Sequence, residues 1–238
     1  MTSSYQIIVR NQSKDTMWFY CFQEQAQFSN SGLDPDVQSS SLDCGQLPAY
    51  SDSGAQFDIS LDVSVYAGAK RANNGQNASA TAGFFATDLS LANSSEYWAK
   101  QEISLTPASG SSEVANHTSL SLSPLGLSQP VWNADVPAGC FGIGVPVYSP
   151  SSSSVVYCGN LCVLSDQSLV LSSFVEPAPN SDLSCAPTPK YFVKAGKFSA
   201  GTVIAYAPTG AAVCDFSGGY TSFLVEYQSN GEFTVSGN

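Results

Sequence analysis

The stretch FDISLDVSVY, residues 57–66, alternates apolar and polar side chains along its whole length. The apolar side chains are Phe57, Ile59, Leu61, Val63 and Val65. Between them stand only aspartates and serines. Because successive side chains of a β-strand point to opposite faces, the pattern predicts a strand over 57–66 with one buried face and one solvated face.

Similar short alternating runs recur along the chain, separated by turns rich in Ser, Gly and Pro. The last run, 221–235, contains SNGE at 229–232, and an Asn-Gly pair between two such runs predicts a tight hairpin. Only SEYWAKQE, residues 95–102, has the composition of a helical turn or two, whereas 29–54 and 106–117 read as long loops. Many short strands with little helix predict an all-β protein, an antiparallel β-sandwich.

The length of 238 residues leaves the domain organisation open. We predict a single all-β domain over 1–238. Two packed sandwich or barrel halves that meet near 125–150 are the alternative.

Charge restricts the class of partner. The chain has 19 acidic and 8 basic residues, which gives a formal charge of −11. Nucleic acid and anionic membrane surfaces attract clustered Lys and Arg, and the only adjacent basic pair is Lys70-Arg71. No apolar run approaches the length of a membrane span, about 20 residues. We therefore expect a small, hydrophobic partner molecule, with no nucleic acid and no membrane span.

Seven cysteines and four Asn-x-Ser/Thr sequons favour an oxidising, secretory route. The sequence opens MTSSYQIIVR, without the features of a signal peptide, so we expect that one has been removed. The alternative is a cytosolic protein with free thiols. The candidate glycosylation sites are Asn11, Asn77, Asn93 and Asn116. The candidates for disulfide staples, whose pairing the sequence leaves open, are Cys44, Cys140, Cys158, Cys162, Cys185 and Cys214. Cys21, on an apolar strand, is the candidate for a free, buried thiol.

Familiar catalytic motifs find little support. The spacing of YCGNLC, 157–162, fits neither a redox CxxC pair nor half of a zinc site. The single histidine, His117, lies in the polar stretch VANHTS and reads as a solvated loop residue. The carboxylate pairs Asp34/Asp36 and Asp58/Asp62 read as solvating groups, and LDPDVQSSSLD lacks the Gly and Glu of an EF-hand loop. We expect no metal and no cofactor.

Aromatic residues are numerous, and most belong in a core. Trp98 and Trp132 lie at the edges of loops, where they can line an apolar pocket. We predict that the pocket walls are Tyr66, Trp98, Trp132 and Phe192. The scarce cations supply candidate catalytic hydrogen-bond donors, namely Lys70, Arg71 and Lys190, although ordinary solvated surface is an equal alternative for them.

Two stretches carry a resemblance to a known group. The opening YQIIVRNQS…WFYCFQE and the closing CDFSGGYTSFLVEYQSNGEFTV resemble the RhiA-like proteins and a set of fungal secreted β proteins. The group includes the hetero-Diels–Alderases of tropolonic sesquiterpene pathways, which use no cofactor. The resemblance implies a pocket that orients a tropolone quinone methide against a terpene, and it assigns no individual residue.

Three functions therefore remain. The first is a cofactor-free pericyclase of fungal secondary metabolism, which lowers a barrier by holding two reactants in one orientation. The second is a non-catalytic secreted protein that binds a small molecule or a carbohydrate in the manner of a lectin. The third is a carbohydrate-active enzyme that uses two of the carboxylates.

Overall fold

The computed structural model of the protein describes residues 4–30, 35–73, 98–108, 113–149 and 154–238. The strands are β1 (Ser4–Asn11), β2 (Met17–Gln23), β3 (Gln27–Asn30), β4 (Gln38–Leu47), β5 (Gln56–Asp62), β6 (Tyr66–Asn73), β7 (Trp98–Glu102), β8 (His117–Leu122), β9 (Leu125–Leu127), β10 (Phe141–Val145), β11 (Ser154–Val163), β12 (Leu169–Val175), β13 (Ser181–Ala186), β14 (Lys190–Ala195), β15 (Val203–Ile204), β16 (Ala212–Asp215), β17 (Ser222–Tyr227) and β18 (Phe233–Gly237). One α-helical turn spans Tyr50–Ser53, and one 3-10 turn spans Phe216–Gly218. Among the described residues, no helix is long and apolar enough to cross a membrane.

Within these ranges the strands form three sheets that pack in a sandwich-like arrangement. The orders are β18-β17-β1-β5, β3-β13-β10-β8-β9 and β16-β14-β2-β4-β12-β11-β6-β7, with β15 added to β4. Most pairs are antiparallel, and β1 with β17 and β8 with β10 are parallel. The prediction of an all-β, sandwich-like protein is confirmed.

The largest sheet packs against both smaller sheets, which creates two apolar cores. In the first core, Ile7 and Ile59 of the four-stranded sheet meet Phe19 of β2. In the second core, Phe141 of β10 packs with Ala69 of β6. Strands from both sides of 125–150 contribute to every sheet, and the alternative division of the chain there stays a prediction.

Strand β4 holds the largest sheet together by changing partners. Its residues from Ser41 onward pair with β2, whereas Gln38 and Ser39 pair with β12. A bulge at Cys21/Phe22 marks the change. Because a bulge bends its strand, the sheet can turn there and face two different partner sheets.

Several local predictions were wrong. The stretch 29–54 contains strand β4 and is not one long loop, and 98–102 is strand β7 and not a helical turn. Residues 95–97 lie outside the described residues. The alternating stretch 57–66 is not one strand, because β5 ends at Asp62 and β6 begins at Tyr66. The hairpin at SNGE is confirmed, with Gly231 at φ +85° between β17 and β18.

Candidate functional site

A cavity of about 230 Å³ opens where the two apolar cores meet. Its walls come from β1, β2, β11 and β14, from the turn after β5, and from the loop between β13 and β14. Tyr5 and Tyr191 contribute aromatic rings, and Pro187 and Pro189 contribute apolar rings without a backbone donor. The site therefore lies at a junction of elements that are distant in sequence.

The floor of the cavity is formed by three buried residues, Gln23, Asn160 and Cys162. Together with the buried Ser172 behind them in β12, they form a cluster that is here called the polar seam. Asn160 donates from Nδ2 to Gln23 Oε1 at 2.8 Å and to Ser172 Oγ at 2.9 Å. The amide of Gln23 in turn donates from Nε2 to the Thr188 carbonyl at 2.7 Å. These bonds link β2, β11, β12 and the loop before β14. Since buried polar groups are costly unless they are paired, the bonds fix the orientation of both amides.

The position of the polar seam follows from the strand period on β11 and from a bulge on β12, where the pairing with β11 skips Ser172. On β11, Asn160 stands between Cys158 of the second core and Cys162 of the first. On β12, Ser172 stands between Val170 of the first core and Val175 of the second. The polar side chains thus occupy the gap between the two cores, and the cavity opens over them.

The thiol and the phenol at the floor are proton donors. Cys162 Sγ donates to Gln23 Oε1 at 3.3 Å. Burial raises the pKa of the Cys162 thiol to about 12, against the hydrogen bonds from Ser172 and Tyr191, which lower it. Burial likewise raises the pKa of Tyr191 well above its usual value, and the nearby thiols add to the shift. At neutral pH neither group is a nucleophile, because the thiolate is the reactive form of cysteine.

The mouth of the cavity is formed by the turn that interrupts the predicted strand 57–66. Asp62 Oδ1 accepts the backbone N–H of Ser64 at 2.9 Å, a bond that closes a turn in the manner of an Asx turn. Asp62 Oδ2 accepts the hydroxyl of Tyr66 at 3.0 Å. Val63 and Val65 then line the cavity instead of extending β5. The Asp-x-Ser spacing was the sequence signal for this turn.

The predicted walls and donors divide between different parts of the molecule. Lys70 lies opposite Trp98 in the β6/β7 pair, with its ammonium 4.6 Å from the ring centre. Tyr66 packs in the same apolar cluster as Trp98. Tyr66, Lys70 and Trp98 thus lie near one another, and Tyr66 approaches the mouth of the cavity through its bond to Asp62. Their roles as pocket walls and donor stay predictions.

The remaining predicted residues lie elsewhere. Lys190 pairs with Glu24 at 2.7 Å on β14, and Phe192 stacks on Phe22 in a separate cluster. Arg71 donates to the Leu122 carbonyl. Trp132 is half-buried between β9 and β10. None of the seven predicted walls and donors is among the described residues that line the cavity.

The cysteines form no disulfide. All seven are free, and five are buried: Cys21, Cys158, Cys162, Cys185 and Cys214. The staples expected from Cys44, Cys140, Cys158, Cys162, Cys185 and Cys214 are absent. No cysteine faces another across a strand pair; Cys158, for instance, faces Ala69 and Val175. The free thiols give no support to the secretory route, which stays a prediction.

The asparagines of two of the four sequons are buried and make structural hydrogen bonds. Asn11 is fully buried, and its amide donates to the carbonyls of Asp15 and Leu47. Asn116, also fully buried, donates to Thr106 Oγ1 and the Asn133 carbonyl. Glycosylation of either asparagine would require its side chain to break these hydrogen bonds and become exposed. Asn77 and Asn93 lie outside the described residues.

His117 is not a solvated loop residue. It begins β8, its side chain is 13% exposed, and Nε2 lies 3.5 Å from Asp182 Oδ1. Its ring lies over Gly142 and Gly144, whose missing side chains leave it room. The described lining of the cavity contains no histidine.

Among the described residues, no group of three His, Cys, Asp or Glu side chains could hold a metal ion. Of the carboxylate pairs, Asp34 lies outside the described residues, and Asp58 bonds to Gln56 on the surface. Asp62 is the acidic residue that the structure places at the cavity.

Comparisons with protein-family models, with curated proteins and with solved structures each found no match for this chain. The resemblance drawn from the two ends of the sequence therefore stays a prediction.

Proposed function

We propose that this protein reversibly binds one small organic molecule in the cavity between its two cores. The observation that carries the proposal is the polar seam: a fixed amide pair, Gln23 and Asn160, lies beneath walls of tyrosine, valine and proline. Ligand sites typically combine such apolar walls with a few placed polar groups.

The chemistry of the described lining favours binding over catalysis. A general acid or base works best when its pKa lies near the operating pH. Burial raises the pKa values of Cys162 and Tyr191 far above neutrality, and Gln23 and Asn160 do not titrate. The floor can therefore orient a ligand by hydrogen bonds but is poorly suited to proton transfer.

The size of the cavity limits the ligand to one small molecule. Pockets for drug-sized ligands range from about 300 to 1,000 Å³, and a cavity of about 150 Å³ accepts benzene. At about 230 Å³, this cavity suits a single ring with a short substituent. The cycloaddition implied by the resemblance requires two larger reactants side by side, and it stays a prediction without support from this cavity.

The test is to block the mouth of the cavity with a larger side chain. Val63 is 37% exposed at the cavity, and Val235 is 38% exposed on the edge strand β18. We expect Val63→Trp to abolish binding of single-ring fragments, measured by ligand-observed NMR, because the indole fills the opening. Val235→Trp adds the same side chain at equal exposure and should bind like the wild type.

Retention of fragment binding by Val63→Trp, or absence of binding by the wild type across the fragment library, would contradict the proposal. Melting temperatures of both variants identify any loss caused by misfolding.

A further inference from the structure

We infer that the ligand of this cavity is a small organic cation, a protonated amine carried on a ring or a short apolar body. The inference rests on the proposed function and names the charge of the ligand. It reverses the expectation from sequence, in which lysine and arginine would act on the ligand as hydrogen-bond donors.

The charge at the cavity is negative. Asp62 lines it, and the described lining contains no Lys, Arg or His. A carboxylate oxygen can accept more than one hydrogen bond, so Asp62 can still accept an ammonium while it holds Ser64 and Tyr66. The formal charge of −11 for the whole chain also attracts cations at long range.

The carboxylate is held in position before any ligand arrives. The Ser64 N–H fixes one oxygen and the Tyr66 hydroxyl fixes the other. Burial and the bond to Asp62 both raise the pKa of Tyr66, so this phenol remains a donor. A preorganised acceptor binds a cation with less loss of entropy than a mobile side chain.

Aromatic rings add to this preference. Tyr5 and Tyr191 both line the cavity, with ring centres 6.4 Å apart. Tyrosine rings attract cations through their negative faces. Lys100 of β7 shows the same chemistry next to the turn, where its ammonium lies 5.2 Å from the centre of the Tyr66 ring. That ammonium reduces the negative potential around Asp62 without entering the described lining.

The floor adds no positive charge to the cavity. Asn160 uses its amide nitrogen to donate to Gln23 and Ser172, and neither amide of the floor is charged. An anionic ligand would bring its charge against Asp62 with no described cation in the lining to compensate. Unpaired like charges of this kind are costly away from bulk water.

Three probes of nearly equal shape separate the possibilities: benzylamine, benzyl alcohol and benzoate. We expect calorimetric titration of the wild type to give the order benzylamine, then benzyl alcohol, with no binding of benzoate. The preference for the amine should be about two- to fivefold, as for one partly exposed ion pair. It should shrink as salt is raised from about 20 to about 500 mM, whereas the affinity for benzyl alcohol should not change.

The matched variants are Asp62→Asn and Asp58→Asn. Asp58 lies on the same strand and the same face, four residues or about 13 Å away, and bonds only to Gln56 among the described residues. Asp62→Asn should bind benzylamine and benzyl alcohol equally. Asp58→Asn should keep the preference for the amine.

Equal binding of benzylamine and benzyl alcohol by the wild type, or an amine preference that survives both Asp62→Asn and high salt, would overturn this inference and leave the proposed function standing. Failure of all three probes to bind, while other single-ring fragments bind, would also overturn this inference alone, and absence of binding across the whole fragment library would overturn both. The salt series uses only the wild-type protein, so it decides the matter even if Asp62→Asn is unstable.

Discussion

Asn160 connects β11 with its neighbours through one side chain. Its amide donates to Gln23 on β2 and to Ser172 on β12, and Ser172 returns a bond to the Asn160 carbonyl at 3.2 Å. Each group is buried, so a lost partner leaves a polar atom without compensation from water. At the scale of single residues, the polar seam is therefore a structural requirement as well as the floor of the cavity.

Two buried serines test this view. Ser172→Ala should lower the free energy of unfolding by about 1–3 kcal/mol, because Asn160 loses a partner. Ser40 on β4 is equally buried, but its hydroxyl has no hydrogen-bond partner among the described residues. Ser40→Ala should therefore be neutral or stabilising. Urea denaturation measures both, and an equal loss in the two variants would argue against the bonding role given to Ser172.

At the scale of elements, the close approach of β11 to β12 depends on a glycine. A Cβ atom on Gly159 would lie 2.1 Å from the Ser173 carbonyl oxygen and 2.7 Å from the Phe174 Cα atom. Both are backbone atoms and cannot move without breaking the pairing of Gly159 with Phe174. The strand just before Asn160 is thus held against its neighbour with no space for a side chain.

The corresponding prediction compares two glycines in strands. Gly159→Ala should destabilise the protein by about 1–3 kcal/mol, the usual cost of overpacking. Gly126, on β9, has open space where a Cβ atom would stand, with no atom within 4 Å, and Gly126→Ala should change stability by no more than about 0.5 kcal/mol. Thermal denaturation followed by circular dichroism gives both values. Similar melting temperatures for the two variants would contradict the packing described for β11.

Elements also show where sequence patterns succeeded and failed. Alternation correctly predicted that Ile59 and Leu61 lie in the core, because both side chains are on the same face of one strand. It failed at Val63, which is 37% exposed, since the bond from Ser64 to Asp62 bends the chain at a point where the apolar period continues. Val65 is half-buried and packs against the second core. Strand β4 was missed because its serines and aspartate resemble a loop, although neighbouring elements bury it.

At the scale of the whole molecule, the cavity depends on contacts that no local pattern contains. Tyr5, Asp62, Asn160 and Tyr191 come from four separate strands, and the sheets must pack together before they meet. Sequence reasoning could identify the all-β class from recurring alternation. For the site it chose conspicuous aromatics and cations, of which the neighbouring strands β6 and β7 bring Tyr66, Lys70 and Trp98 close together. None of the chosen residues is among the described lining of the cavity.

The central claim, that ligands enter the cavity over the polar seam, is tested most directly by NMR mapping of benzylamine on isotope-labelled protein. We predict shifts of the side-chain amide signals of Gln23 and Asn160 and of the backbone signals of 62–65. The indole signals of Trp98 and Trp132 should stay in place. Shifts confined to those indoles and to β6, with the signals of Gln23 and Asn160 unmoved, would contradict the account.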